Sequence, residues 1–513
     1  MAELRFGGGL NQLDDELVND DECIDGENFL IDADSRQFRP RPFFTLKGTA
    51  TNAGEINGIM QLIKRDDTTT TLVQAAGDVY SWDGSSSFTQ VGTAATTSLL
   101  RDSYWSLDEV LVITDLSKAT VVKQWNGTAY ATMTHAIAGV TNLYARYSIV
   151  WQNRVWLLNI KTDSTDSPHI LLASEHNNYD NYNNSWTPIS TTLTSSAPFF
   201  LVIPDNRPIN GVAVFYDTMV ISTIDGRIFR LSGTDATNYR VNEFYAGSSA
   251  AGTELITNIG NDIAYVRKGG HVERLMASPD QFGDTRADDL SKWIRDETEG
   301  LTSGILVYDQ TRQRVCLFTG NKVMVLDKYI LESGTGLSPW MKWTTQMSSN
   351  LDVSAAKFLR IPGDTDYSVY FGGPAGQIYD MNGSGTGDHG STEVIAYRKS
   401  HLISSFQTVD DTVSGRVHYR RVGVCDLDMV FEWSDEYSTT MCRVPLKGPI
   451  VSMGADFWGG DLYWGGEDYW NEGGVSEQRV SSAGFSAVGK GPSFFVTLKI
   501  ISTVSFLVNK VEA

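Results

Sequence analysis

Residues 209–233 read INGVAVFYDTMVISTIDGRIFRLSG, and this stretch decides the fold. It divides into three short strands at 211–216, 219–224 and 227–231. Asp217-Thr218 separates the first two and Asp225-Gly226 the second pair. An Asp-Gly dipeptide between β-rich runs signals a tight hairpin, because a I′ turn needs positive φ. The runs are built from Val, Ile, Phe and Tyr, which suit a pleated, half-buried surface. The unit is an antiparallel meander.

Similar meanders recur along the chain. They are centred on 56–82, 104–125, 144–173, 254–276, 304–326 and 355–379, with turns such as Ala76-Gly77-Asp78, Asn126-Gly127, Lys268-Gly269-Gly270 and Gly320-Asn321. A spacing of roughly 40–50 residues is the range in which repeated four-stranded units point to a propeller. Radial stacking covers faces and edges that a lone meander leaves bare. The reading is an all-β chain with a β-propeller of about six to eight blades; two stacked sandwiches are the alternative. The expected division is an N-terminal arm at 1–54, the propeller at 55–389 and a C-terminal β-sandwich-like platform domain at 390–513. Within 288–299, Leu290, Trp293 and Ile294 lie at helical spacing behind acidic residues, which predicts a short helix.

With 513 residues, 41% hydrophobic and 20% charged, the composition is that of a folded protein. A net charge of −21 argues against a basic surface that grips nucleic acid. No apolar run approaches the roughly 18 residues of a membrane span, and the first residues carry no signal-like apolar core. The four cysteines (Cys23, Cys316, Cys425, Cys442) have no zinc spacing and read as buried free thiols of a reducing compartment. No HExxH, GxSxG or GxxxxGK[ST] pattern occurs, so neither an enzyme nor a cofactor is expected. The glycine-rich run 383–390 reads as a linker. Ser81-Trp82-Asp83-Gly84 and Gln124-Trp125-Asn126-Gly127 read as hairpin turns with a docking Trp.

Two aromatic loops stand out. Residues 175–186, EHNNYDNYNNSW, read as an inter-blade loop pinned by Trp186, or as a sugar or protein contact. Residues 456–477 place Trp458, Tyr463, Trp464, Tyr469 and Trp470 among Gly-Gly pairs and six carboxylates, without Lys or Arg. Clustered Trp and Tyr suit an interface with a subunit or partner; ordinary hairpin packing and a ligand or ion site are the other readings.

The N-terminal arm runs from an acidic stretch (Asp14-Asp15-Glu16, Asp20-Asp21-Glu22, Asp25) through Asn28-Phe29 to Arg39-Pro40-Arg41-Pro42-Phe43. This order resembles the opening of tail nozzle proteins of short-tailed bacteriophages: a Gly/Asn stretch, an acidic E-x-x-x-x-x-N-F segment, then a basic R-x-R-P-G-F-like run. Phe43 stands where that pattern has Gly. The segment from Ser174 to Trp186 is similar to a second stretch of those proteins. The resemblance implies a homo-oligomeric ring, usually a hexamer, in the virion tail, assembled in the host cytoplasm. Its partners would be an adaptor or portal-side protein, tail fibre or needle proteins, and viral double-stranded DNA passing the lumen without sequence-specific binding. The arm and C-terminal domain would form a platform with the propeller inserted between them. Arg39, Arg41 and Phe43, with the aromatics of 456–477, are the interface candidates. A carboxylate-lined lumen repels phosphate over a Debye length of about 8–10 Å, so DNA would slide with little friction. The competing class is a carbohydrate-binding or glycan-cleaving propeller for receptor recognition, with binding through Trp458, Trp464 or Trp470.

Overall fold

The computed structural model describes residues 3–4, 8–13, 18, 21–32, 37–52, 54–94, 97–163, 165–183, 186, 188, 190, 192–215, 218–246, 249–252, 254–277, 285–344, 352–383, 388, 394–400, 403–404, 411–421, 425–434, 439–445, 479–489, 493–502 and 506–512. Its contacts divide the chain into two compact units. Unit 2 comprises Phe44–Val325 and Ser348–Gly383; unit 1 comprises Met1–Phe43, Leu326–Met347 and Ser384–Ala513.

Seven four-stranded antiparallel blades form a β-propeller; its strands lie in unit 2, apart from Trp340–Thr344, the fourth strand of the sixth blade, which falls in the Leu326–Met347 segment of unit 1. Their first strands are Ile56–Ile63, Leu100–Trp105, Leu143–Trp151, Ile209–Phe215, Ile256–Ile259, Ile305–Asp309 and Ala355–Leu359. Each of these contacts the first strand of the next blade, and Ala355–Leu359 contacts Ile56–Ile63, so the ring is closed. Apolar side chains fill the seams. Trp156, Leu158 and Phe199 of the third blade meet Met219, Ile221 and Phe229 of the fourth. Ile56, Val73 and Trp82 of the first blade meet Leu359, Tyr370 and Ile378 of the seventh.

The seventh blade is assembled from both ends of the propeller. Ala355–Leu359, Ser368–Gly372 and Gln377–Gly383 are completed by Phe43–Thr49 as the fourth strand. The sequence places 43–49 in the arm; the structure places it in the ring, where Phe44 packs edge-on against Phe371 at 5.1 Å and Lys47 pairs with Asp364 at 3.3 Å. The seven blades fall within the expected range.

In the opening meander the strands are Ile209–Phe215, Thr218–Thr223 and Arg227–Ser232, with Arg240–Ala246 as the fourth. The second turn is not the expected two-residue I′ type. Only Gly226 has positive φ (94°), and the connection is the three residues Ile224, Asp225 and Gly226, a loop that likewise ends on a left-handed glycine. The first turn, at Tyr216 and Asp217, lies outside the described residues.

The short helix expected within 288–299 forms, but beyond Leu290, Trp293 and Ile294, whose spacing suggested it. Thr285–Asp289 is a strand paired to Val272–Ala277, and only Arg295–Thr298 is helical. Asp289 accepts from the Ser291 amide at 2.8 Å and hydroxyl at 2.7 Å. This local bond gives the backbone an alternative to the helical ladder. Leu290, Trp293 and Ile294 are nevertheless buried.

Unit 1 combines strands from both chain ends in two sheets. One has the order Phe29–Asp32, Gln37–Pro40, Phe506–Glu512, Asp411–Arg421, Arg479–Gly489, with Glu3–Leu4 paired to Phe506–Glu512. The other runs Cys23–Glu27, Val394–Ser400, Ser493–Ser502, Cys425–Ser434, Thr439–Pro445, with Ile403–Ser404 paired to Ser493–Ser502.

Gly372 tests the seam between the last and first blades. A Cβ there would lie 2.4 Å from Ile56. Gly372→Ala is expected to destabilise the chain by about 1–3 kcal/mol, as overpacking does, seen as a lower urea midpoint; an unchanged midpoint would mean the seam is not packed as described.

Candidate functional sites in the arm and on the propeller axis

Several arm residues that carry the resemblance (Leu10, Glu22, Asn28, Phe29, Arg41 and Phe43) lie in unit 1 and are buried there. Gly9 runs against the Trp340 backbone so closely that a Cβ would sit 1.9 Å from its carbonyl oxygen. Its neighbour Leu10 donates its amide to that same oxygen at 2.7 Å. Glu22, 1% exposed, accepts from the Asn11 amide group at 2.6 Å and from the Ser338 backbone. Asn28 holds φ +58°, a left-handed conformation that Asn tolerates better than most residues. Its Oδ1 accepts from the Thr344 amide at 2.8 Å, and its Nδ2 donates to Thr344 Oγ1 and the Ile395 carbonyl. The Trp343 indole donates to the Phe29 carbonyl at 2.7 Å.

Arg41 closes this network. Its side chain and that of Asp388 are both fully buried, and the two form a bidentate pair. Nε donates to Asn28 Oδ1 at 2.8 Å, and the terminal nitrogens reach the carbonyls of Pro42 at 2.7 Å and Thr344 at 2.9 Å. A planar fork with five donors suits this site as a lysine would not. Arg41, one of the interface candidates, thus spends its guanidinium inside the chain. Phe43 is buried too, at 7% exposed, and Arg39 is half-buried on Gln37–Pro40 opposite Leu30. Of the run 383–390, expected as a linker, Asp388 is a buried carboxylate, and 384–387 and 389–390 lie outside the described residues. Trp458, Tyr463, Trp464, Tyr469 and Trp470 lie outside the described residues.

The polar aromatic loop is anchored by Tyr182, not Trp186. Tyr182 is fully buried and donates to the Val155 carbonyl at 3.1 Å, whereas Trp186 is 37% exposed and leans edge-on to Phe200. Burial pushes the Tyr182 hydroxyl pKa well above its usual value. The two docking tryptophans behave as expected. Trp82 and Trp125 are buried, their indoles donating to the Ser85 carbonyl at 2.7 Å and Thr70 Oγ1 at 3.3 Å. Cys23 and Cys316 are buried free thiols. Burial pushes Cys23 up to about 11 against the opposing pull of Arg398, and it raises Cys316 further.

On the propeller axis lies a cavity of about 390 Å³. Two ion pairs span its walls. Arg101, on the first strand of the second blade, pairs with Glu254, which precedes the first strand of the fifth. The next residue, Asp102, pairs with Lys357 on the first strand of the seventh blade. Successive residues of a strand point to opposite sides, so adjacent positions reach in opposite directions around the ring. The Arg101 guanidinium lies 5.4 Å from the ring centre of Tyr147. Burial works against its charge, but Glu254, with Tyr147 and Asp102 adding to it, raises its pKa. Burial likewise raises the pKa of the Tyr147 hydroxyl. No group of three or more potential metal ligands occurs among the described residues. The arm network had a sequence signal in its acidic and basic motifs; the axial pairs had none, since each partner sits on a different meander.

No family profile matches the chain, and no curated protein does. Among solved structures it is similar to BBS1N in its complex with ARL6DN (8% identity, 66% of this chain and 96% of that one, TM-score 0.40). It is also similar to the Cps50 (Swd1) β-propeller domain of Myceliophteria thermophila (10%, 66% and 98%, 0.38) and to the computationally designed Ika8 protein (12%, 66% and 99%, 0.33).

Arg41→Met leaves Asp388 buried without its cation and is expected to cost about 3–5 kcal/mol, while Arg41→Lys recovers only part of this. Equilibrium unfolding in urea measures both; a loss below about 1 kcal/mol for Arg41→Met would show that the pair does not hold unit 1 together.

Proposed function

We propose that the chain is a structural subunit of a short phage tail: a nozzle protein that forms a ring continuing the DNA channel, helps retain packaged DNA and releases it on ejection. The observation that carries this reading is the make-up of unit 1. The resemblance implies a platform formed by arm and C-terminal domain with the propeller inserted between them, and the two sheets of unit 1 draw their strands from 1–43 and 384–513. The residues that carry the resemblance (Gly9, Glu22, Asn28, Phe29 and Arg41) all have structural work there. In this reading they mark a fold, and the ring contacts belong to other surfaces.

The propeller axis supports a scaffold role for the blades. Ion pairs tie the second blade to the fifth and to the seventh across a cavity of about 390 Å³. DNA would therefore pass through the lumen of a ring of subunits, not along a propeller axis. The net charge of −21 suits such a lumen, because it repels phosphate instead of holding it. An adaptor on the portal side and fibre or needle proteins are the partners implied, with the virion tail as the location. The chain itself carries out no reaction in this role.

Sedimentation of the purified full-length chain, alone and mixed with lysate-free portal and adaptor proteins of the same particle, tests the reading. A ring-sized species, formed alone or on the adaptor, is expected. A strict monomer that never joins either protein, and that is missing from purified particles by mass spectrometry, would overturn it.

A further inference from the structure

We propose that the axial cavity of the propeller is a binding site for one neutral polyhydroxy ligand of about monosaccharide size. The inference starts from volume. About 390 Å³ lies at the low end of the ~300–1,000 Å³ typical of small-molecule sites. It is too large for packing slack and too small for a chain segment of any length.

The wall chemistry then selects the class. Two carboxylates and two cations line the cavity, and each is already matched: Asp102 with Lys357, Glu254 with Arg101. The charge is balanced, so an anion or a cation would have to compete with an existing pair and leave its counterpart uncompensated. A hydroxyl group avoids that conflict because it both donates and accepts. Lys357 carries three donors and its bond to Asp102 Oδ1 uses one; the carboxylate has about four lone-pair sites. A diol can therefore donate to Asp102 and accept from Lys357 without parting them. Asn258 and Gln310 are exposed lining residues that carry carboxamides, and Thr257 lines the cavity too. These groups too recognise hydroxyls in either sense. The apolar remainder, including Ile256 and Phe358, offers surface to the C–H face of a sugar ring. The inference does not rest on ring assembly.

Isothermal titration of the full-length protein with D-glucose, D-galactose, D-mannose and sorbitol tests the site, with glycine and inorganic phosphate as zwitterionic and anionic probes. Saturable binding of at least one of the four polyols is expected, with neither glycine nor phosphate binding more tightly. Asp102→Asn combined with Lys357→Gln exchanges the ion pair for a neutral one and is expected to weaken that binding about tenfold, since hydrogen bonds to charged groups are roughly twice as strong. Thr257→Leu, which leaves both ion pairs in place, is expected to weaken it as well and serves alone if the double variant does not fold. The proposal fails if none of the four binds saturably, if phosphate or glycine binds more tightly, or if binding survives unchanged in the folded variants.

Discussion

The structure depends on the pairing of Phe43–Thr49 with the last blade. A propeller has no stabilising end: each blade buries its faces only against its two neighbours, so an open ring would expose apolar surface on two of them. Closing it with a strand from the other end of the segment makes the first and last portions of the propeller one sheet. The consequence reaches beyond the ring. Gln377–Gly383 lies beside Phe43–Thr49 in that sheet, so the chain enters and leaves the propeller through the same blade. Residues 1–43 and 384–513 can then form one compact unit although the whole propeller separates them in sequence.

The Arg41–Asp388 pair works within that unit under a stricter rule. A buried ion pair gains little over an apolar one unless its remaining donors are satisfied, because both charges lose their hydration. Here the fork is filled by Asn28 and two backbone carbonyls as well as by Asp388. The pair joins segments 347 residues apart, and its geometry admits few alternatives. Specificity of docking between the two chain ends, more than net stability, is what such a network supplies.

The ring was legible because its inner strands announce themselves. Runs of Val, Ile and Leu bounded by Asp-Gly, Asn-Gly or Gly-Asn turns gave the first three strands of most blades and their period. The outer strands are harder to read, since they are short or interrupted by polar residues: Tyr130–Thr132 has three residues and Arg240–Ala246 contains Arg240, Asn242 and Glu243. Phe43–Thr49 follows a proline-punctuated run and reads as part of it. Charge misled in the arm for a related reason. Arg39-Pro40-Arg41 has the composition of a solvated segment, and nothing local shows that Asp388 will meet Arg41 in the interior. The axial pairs were illegible for the same cause, because a pairing across a ring leaves no trace in spacing along the chain.

Hydrogen–deuterium exchange across the last blade tests the closure most directly. If Phe43–Thr49 completes the ring, its amides are protected to the same degree as those of Gln377–Gly383, and both lose protection together as urea is raised. Exchange of 43–49 within seconds while 377–383 stays protected would contradict the closure, and with it the reason the two chain ends form one unit.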